Sequence, residues 1–129
     1  MSLLLDTHVL LWWLEDDRRL SPAADTAIER KAASVLVSAA SIWEIEVKRL
    51  KGKLTAPVDL LDRIETLGFR LLDLTPDNML DAARLPRHHG DPFDRFLVAQ
   101  AQAEAATLVS DDAALAAYDV PIMRASARA

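Results

Sequence analysis

The sequence predicts an α/β protein: a three-layer α/β/α domain around a central, parallel sheet of four to five strands. Three observations predict it. Short apolar runs alternate with longer stretches of helical pattern; the runs are apolar throughout, as strands covered on both faces are; and each run leads into polar residues able to cap a helix. With 129 residues, 51% of them hydrophobic, only 3 Gly and no Cys, the chain has the material for one packed core. It carries no disulfide framework, thiolate nucleophile or Cys-ligated metal. One domain over residues 1–129 is the expectation, with no repeat or linker, and the lack of Cys is compatible with a reducing cytoplasm.

The elements follow in order. Leu3-Leu4-Leu5 reads as a buried strand and Thr7 to Leu14 as a helix. That stretch is apolar enough to suggest a signal peptide. Asp6 and His8 interrupt it, no basic segment precedes it, and it is shorter than a membrane span, so it is read as folded structure. Pro22 to Ala33 is a second helix, with Ser21 at its N-cap and proline at its first position. Ser34 to Ser38, around Val35-Leu36-Val37, is the second strand. In the helix from Ile42 to Leu50, Trp43, Val47 and Leu50 recur at i, i+4, i+7, so it is expected to dock through Trp43, with Lys51-Gly52-Lys53 as its stop. Val58 to Leu67 is helical and closes at Gly68, Phe69 to Leu74 is the third strand, and Thr75 opens a helix from Pro76 to Leu85. His88-His89-Gly90 is a loop. Pro92 to Ala106 is the longest helical pattern, followed by the strand Thr107-Leu108-Val109, a helix from Ala113 to Tyr118 and a last strand from Val120 to Met123.

Acidic residues recur where an apolar strand ends or the next helix begins: Asp6, Glu44, Asp94, and Asp111-Asp112. In a parallel sheet every strand points the same way, so these positions gather along one edge, where such folds bind ligands. Their spacings of 38, 50 and 18 residues mean that topology, not local sequence, would bring them together. Converging carboxylates repel one another unless a cation joins them, and an all-oxygen set suits magnesium or manganese. A divalent ion there can activate water and clamp a phosphoryl oxygen, which is the chemistry of phosphodiester hydrolysis. The balance of 15 basic against 20 acidic residues, a net charge of −5, is the wrong sign for holding duplex DNA through a basic surface, whereas bridging metal lets an acidic protein hold a polyanion.

Each acid also has a structural reading. Asp6 caps the first helix; Ser41 and Glu44 form a capping box, or Glu44 pairs with Lys48 at i, i+4; Asp91 caps a helix with Pro92 at its first position and Asp94 at its third; Ser110-Asp111-Asp112 reads as a cap. Taken together on one sheet edge, they read as a site.

Leu3-Leu4-Leu5-Asp6-Thr7-His8, Ser41-Ile42-Trp43-Glu44-Ile45, Asp91-Pro92-Phe93-Asp94-Arg95 with Val98-Ala99-Gln100-Ala101, and Leu108-Val109-Ser110-Asp111-Asp112 occur in that order across nearly the whole chain. The set resembles the PIN domain, specifically the VapC-type toxins of bacterial toxin–antitoxin pairs. The resemblance implies a Mg²⁺-dependent endoribonuclease, with Mn²⁺ a possible substitute, that leaves a 3′-hydroxyl and a 5′-phosphate. It implies a cytoplasmic homodimer with no membrane partner, held inactive by a cognate antitoxin that itself binds operator DNA. Carried over by position, the catalytic and metal-holding acids fall on Asp6, Glu44, Asp94 and the acid of a hydroxyl-x-Asp triplet. The triplet favours Asp112, Asp111 being the neighbouring alternative, and Ser110 stands where threonine is usual. Thr7 and Ser41 would be supporting hydroxyls, and Asp91 and Arg95 supporting residues.

Other residues carry weaker signals. Adjacent His88 and His89 lack the i, i+4 spacing of a helical metal pair, and His8 either orients the site or packs in its helix. Arg95 either meets phosphate or is pinned structurally to Asp91. Trp12, Trp13 and Trp43 read as core or interface, with Trp12 and Trp13 unable to face the same core. Lys48-Arg49-Leu50-Lys51-Gly52-Lys53 reads first as a solvated face and second as a guide for RNA. Two rival functions differ in class. A small metal-dependent phosphatase would use Asp6 as nucleophile, though His8 stands where a second Asp would be expected, and a non-catalytic α/β interaction module would use the acids only as caps.

Overall fold

The computed structural model describes residues 2–88 and 90–126. Five strands, β1 (Leu3–Leu5), β2 (Val35–Ser38), β3 (Arg70–Leu72), β4 (Thr107–Ser110) and β5 (Ile122–Arg124), form one sheet in the order β3-β2-β1-β4-β5. All four pairings are parallel. β1 is central although it is only three residues long. Its Leu3 and Leu5 join the core on one face, with Val9, Leu10, Ile28, Val37 and Ile45, while Leu4 joins the other, with Leu36, Leu97, Val98 and Leu108. The two-residue period of a strand thus divides one apolar run between two layers. That is why the strands read as unbroken hydrophobic segments.

Six α-helices cover the sheet: α1 (Thr7–Leu14), α2 (Pro22–Arg30), α3 (Ala39–Leu50), α4 (Leu60–Thr66), α5 (Pro76–Arg84) and α6 (Pro92–Glu104). Their starts follow the expected chemistry. Ser21 Oγ accepts from Ala24 N–H with proline at N1 of α2, and Thr75 and Asn78 form a reciprocal capping box at α5. No helix among the described residues is long and apolar enough to cross a membrane.

Several boundaries differ from the sequence reading. The second helix stops at Arg30, and Ala32–Ser34 forms a 3-10 turn leading into β2. The fourth begins at Leu60, and the Ala113–Ala117 segment is 3-10 instead of α-helical. The last strand lies past Pro121, which cannot donate a ladder hydrogen bond, at Ile122–Arg124.

The largest difference is at α3, which starts at Ala39 because Ser38, at the end of β2, caps it by accepting from Ala40 N–H at 3.0 Å. Ser41 is therefore inside the helix and buried, so the capping box between Ser41 and Glu44 does not form. The helix docks through Ala40, Ser41, Glu44 and Ile45, whereas Trp43 is 60% exposed. Outside, the Trp43 ring stacks on Phe93 of α6 with centroids 5.6 Å apart.

Candidate active site

A parallel sheet whose connections leave to both sides of β1 has its crevice at the carboxyl ends of the central strands. Asp6 sits there. It follows β1 directly, its N–H donates to Val109 O at 3.0 Å, which continues the β1–β4 pairing, and its carboxylate begins α1. Oδ1 accepts from His8 N–H at 3.2 Å and Oδ2 from Ser110 Oγ at 2.6 Å. One oxygen is thus a helix cap, as the structural reading held, while the other ties the end of β1 to the end of β4. Burial pushes the Asp6 carboxyl above the ordinary carboxylate range. Hydrogen bonds from Ser110 and the His8 amide pull the other way, and the charge of Glu44 adds to the rise.

Glu44 reaches the same place from α3. Thr7 Oγ1 lies 2.8 Å from Glu44 Oε1 and 2.9 Å from Ser41 Oγ. Thr7 has one hydroxyl proton and an ionised carboxylate can only accept, so that proton goes to Glu44, and Ser41 is the donor in the hydroxyl pair. The other carboxylate oxygen, Oε2, accepts from Lys48 Nζ at 2.7 Å, the i, i+4 pair allowed by the spacing. This hydrogen bond, with the charges of Asp91 and Asp94 nearby, holds the Lys48 ammonium above the usual lysine range.

One cavity of about 330 Å³ collects these groups. Asp6, Glu44, Asp91, Asp94, Asp111 and Asp112 line it, together with Thr7, His8, Trp12 and Lys48. All four acids singled out in the sequence face one space, as do both members of the Asp111-Asp112 pair. Ser41 and Ser110 stand one hydrogen bond behind the wall. The two neighbouring acids are held differently. Asp111 Oδ1 accepts from the amides of Ala125 and Ser126 at 3.1 and 2.7 Å, fastening the chain after β5; burial alone would raise its pKa, but these bonds hold the carboxyl below its ordinary range. Asp112 accepts from Ala114 N–H at 3.0 Å at the start of the 3-10 turn, and its own N–H donates to Ser110 Oγ at 3.1 Å. Asp91 likewise caps α6 by accepting from Phe93 N–H at 2.8 Å, with Asp94 in the first turn.

Other candidates lie elsewhere. The Arg95 guanidinium donates to the carbonyls of Pro86, Ala82, Ala83 and Leu85 and to the Tyr118 hydroxyl, at 2.8–3.4 Å. It closes the C-terminal end of α5, where helical carbonyls lack amide partners, and is not among the residues around the acid cavity. His88 is exposed and packs edge-on against Tyr118, 5.2 Å between centroids; His89 lies outside the described residues. Trp13 packs against Phe69 and Trp12 lies beneath the Arg19 guanidinium, 5.1 Å from its ring centre; contrary to the expectation that they could not share a core, both are partly buried against the same one, each ring lying along its edge. Lys48, which the sequence reading gave both as part of a solvated basic run and as an i, i+4 partner of Glu44, lines the cavity through the second of these. A larger cavity of about 660 Å³ lies over α3 and α4, lined mainly by apolar residues such as Ile42, Trp43, Leu60 and Leu71.

The donor set suits a hard divalent cation in kind, being carboxylate oxygens around a space with one ammonium. Among the described residues, no three carboxylates or imidazoles stand close enough to share one ion as they lie. Magnesium does not require that, because it keeps several waters and takes one or two carboxylates directly. The desolvated Asp6 carboxyl, unfavourable as an anion with Glu44 nearby, is the residue that would gain most from a cation.

The sequence matches the family model of the PIN domain over residues 3–121. Ribonuclease VapC22 of Mycobacterium tuberculosis is 32% identical over 123 residues, covering 93% of this chain and 94% of that protein. Among solved structures, DNA-bound VapBC from Salmonella typhimurium superposes with a TM-score of 0.70 at 15% identity, over 95% of this chain and 97% of that one. A toxin–antitoxin complex from Klebsiella pneumoniae gives 0.69 at 19% identity with the same coverage, and FitAcB from Neisseria gonorrhoeae 0.64 at 22%, over 95% and 96%. These structures share the fold, and the match over residues 3–121 reaches from the first strand past the last of the acids. The chain belongs to the PIN domain family, with a VapC protein as a relative along almost its entire length.

Proposed function

We propose that the protein is a Mg²⁺-dependent endoribonuclease, the toxin of a toxin–antitoxin pair, with Mn²⁺ as a possible substitute ion. The observation that carries this reading is the convergence of Asp6, Glu44, Asp94 and Asp112, from four separate segments, on one cavity at the carboxyl end of the sheet. The naming of the VapC22 relative as a ribonuclease supports the substrate class.

When bound, the cation supplies Lewis-acid stabilisation of phosphoryl oxygens and makes water a better nucleophile. The chain's own residues hold and orient it. Asp6 and Glu44 are the two buried acids, each anchored through one oxygen by a neighbouring hydroxyl, from Ser110 and Thr7 respectively. Asp94 and Asp112 line the same cavity and complete the set, Asp112 being preferred over Asp111 because the amides of Ala125 and Ser126 both occupy Oδ1 of Asp111. Lys48 sets the direction of Glu44 and places a positive charge at the rim, where a phosphate arrives.

Protein partners fit another part of the surface. Trp43, Leu50, Val58, Leu61 and Leu71 are exposed, and the apolar cavity between α3 and α4 adjoins them. A surface of this kind suits a second copy of the chain or a cognate antitoxin, through which any contact with operator DNA would be indirect. The solved VapBC and toxin–antitoxin relatives are complexes by name.

The deciding experiment is cleavage of a panel of structured RNAs by purified, antitoxin-free protein with Mg²⁺, with EDTA, and as Asp6→Asn. Cutting that requires both metal and Asp6 is expected. No cutting, together with no thermal stabilisation by Mg²⁺ or Mn²⁺, would leave the acids as helix caps of an interaction module.

A further inference from the structure

A strand with one phosphate in the acid cavity must leave it across a rim. Where Asp91, Asp94, Asp111 and Asp112 line the cavity, the acids repel the next phosphate. His8, Trp12 and Lys48, which line the acid cavity, also line a second cavity of about 520 Å³, so the two spaces adjoin there. There the charge reverses: Arg19, Lys48 and Lys53 stand against the single acid Glu15.

Local geometry builds that cationic wall. At the end of α3, Gly52 has φ +71°, its N–H donates to Arg49 O at 3.0 Å, and Lys53 N–H returns to Lys48 O at 2.8 Å. This is a Schellman closure, and it brings Lys53 back beside the last turn that carries Lys48. Arg19 is fixed from two directions, by Asp17 through Nε and Nη2 and by the Trp12 ring beneath it. Asp17 offsets the charge of Arg19 and Glu44 that of Lys48, whereas Lys53 is in no ion pair among the described residues.

We propose that this second cavity is the track for the RNA strand flanking the cleaved bond, with Lys53 as the principal phosphate contact and Lys48 at the junction of the two spaces. The inference rests on the reading of the acid cavity as an RNA-cleaving site. It explains how a chain of net charge −5 gives a polyanion a direction: phosphates are favoured where the cationic cavity adjoins the site.

The test is steady-state cleavage of a defined RNA that the wild-type protein cuts with Mg²⁺, comparing Lys53→Glu and Lys53→Gln with Arg30→Glu. Arg30 is exposed at the end of α2 and gives the same charge change as Lys53→Glu. Lys53→Glu is expected to raise KM about tenfold with kcat within about twofold of wild type, and to make the dependence of log(kcat/KM) on log salt shallower by about one. Lys53→Gln should fall between, Arg30→Glu should match wild type, and melting curves should show that all variants fold. If Lys53→Glu cannot be told from Arg30→Glu while the wild type cuts, the track is wrong and the nuclease reading stands. If the wild type cuts no RNA with any divalent ion, both fall. If Lys53→Glu leaves KM unchanged but weakens inhibition by an antitoxin chain, the cavity is a protein-docking site and the inference is overturned.

Discussion

Thr7, the first residue of α1, donates its hydroxyl to Glu44 of α3 across 2.8 Å, and both side chains are buried. This bond couples the helix that begins at Asp6 to the helix that delivers the second acid. Thr7→Val keeps the shape and removes the donor, leaving a buried carboxylate oxygen short of a partner. A loss of about 1–3 kcal/mol in stability is expected, the usual cost of such an orphaned group, with at least about a tenfold loss in RNA cleavage. Thr7→Ser should restore most of both, as chemical denaturation and cleavage rates would show.

The raised Asp6 pKa gives a pH dependence of definite sign. Between the unfolded value, near 3.8, and the higher folded value, the native state binds more protons than the unfolded one. Stability in EDTA therefore falls as pH rises through that window. Asp6→Asn removes the desolvated charge, so in EDTA the variant should gain on wild type as pH rises from about 4 to 7. Urea unfolding at a series of pH values would check this, and a constant difference between the two proteins would contradict it.

Lys48 neutralises Glu44 directly, and the divalent ion proposed for the cavity would neutralise the same acid by different means. Lys48→Met should destabilise the protein in EDTA by about 1 kcal/mol, the scale of a partly exposed ion pair. Saturating Mg²⁺ should narrow that gap. For wild type, an ion at one hundred times its Kd adds about 2.7 kcal/mol, and Glu44→Gln or Asp94→Asn should lose most of this gain. Thermal shift with and without Mg²⁺ measures all of these.

Arg95 separates a structural cation from a catalytic one. Its hydrogen bonds to the end of α5 and to Tyr118 predict that Arg95→Met costs about 2–3 kcal/mol in stability, the range for losing charged hydrogen bonds, with little change in KM at a temperature where the variant is folded. A large KM effect at unchanged stability would instead make it a phosphate contact.

Ala105 ends α6 with φ +50°, in the left-handed region and without glycine. Ala105→Gly should relieve that strain and stabilise the fold by up to about 1 kcal/mol, activity unchanged. Chemical denaturation compares the two proteins directly.

The sheet was legible because each strand is a short apolar run followed by a capping residue. The acids were legible because a parallel sheet sends the ends of its strands to one edge. Side-chain direction on α3 was not. Ser38 and Ser41 are equally good caps by composition, and the apolar stripe of Trp43, Val47 and Leu50 pointed to the core a face that the structure leaves outside. The polar pair Ser41 and Glu44 is buried because Thr7 and Lys48 satisfy it, and no local hydrophobic pattern reports a partner 37 residues away. Lys48 carried two readings, as a partner of Glu44 and as part of a solvated run, since one inward lysine among four cations fits both patterns.

The bond from Ser110 to Asp6 joins residues 104 apart in the chain, and this separation has a consequence during synthesis. β1 is synthesised before β4, and the two pair only after the roughly one hundred residues between them have been made, as the register of Leu5 with Val109 requires. Until then Asp6 lacks Ser110 and the crevice lacks one wall. The acidic cavity is therefore among the last features to take shape, and a nascent chain still short of β4 emerges without a complete site.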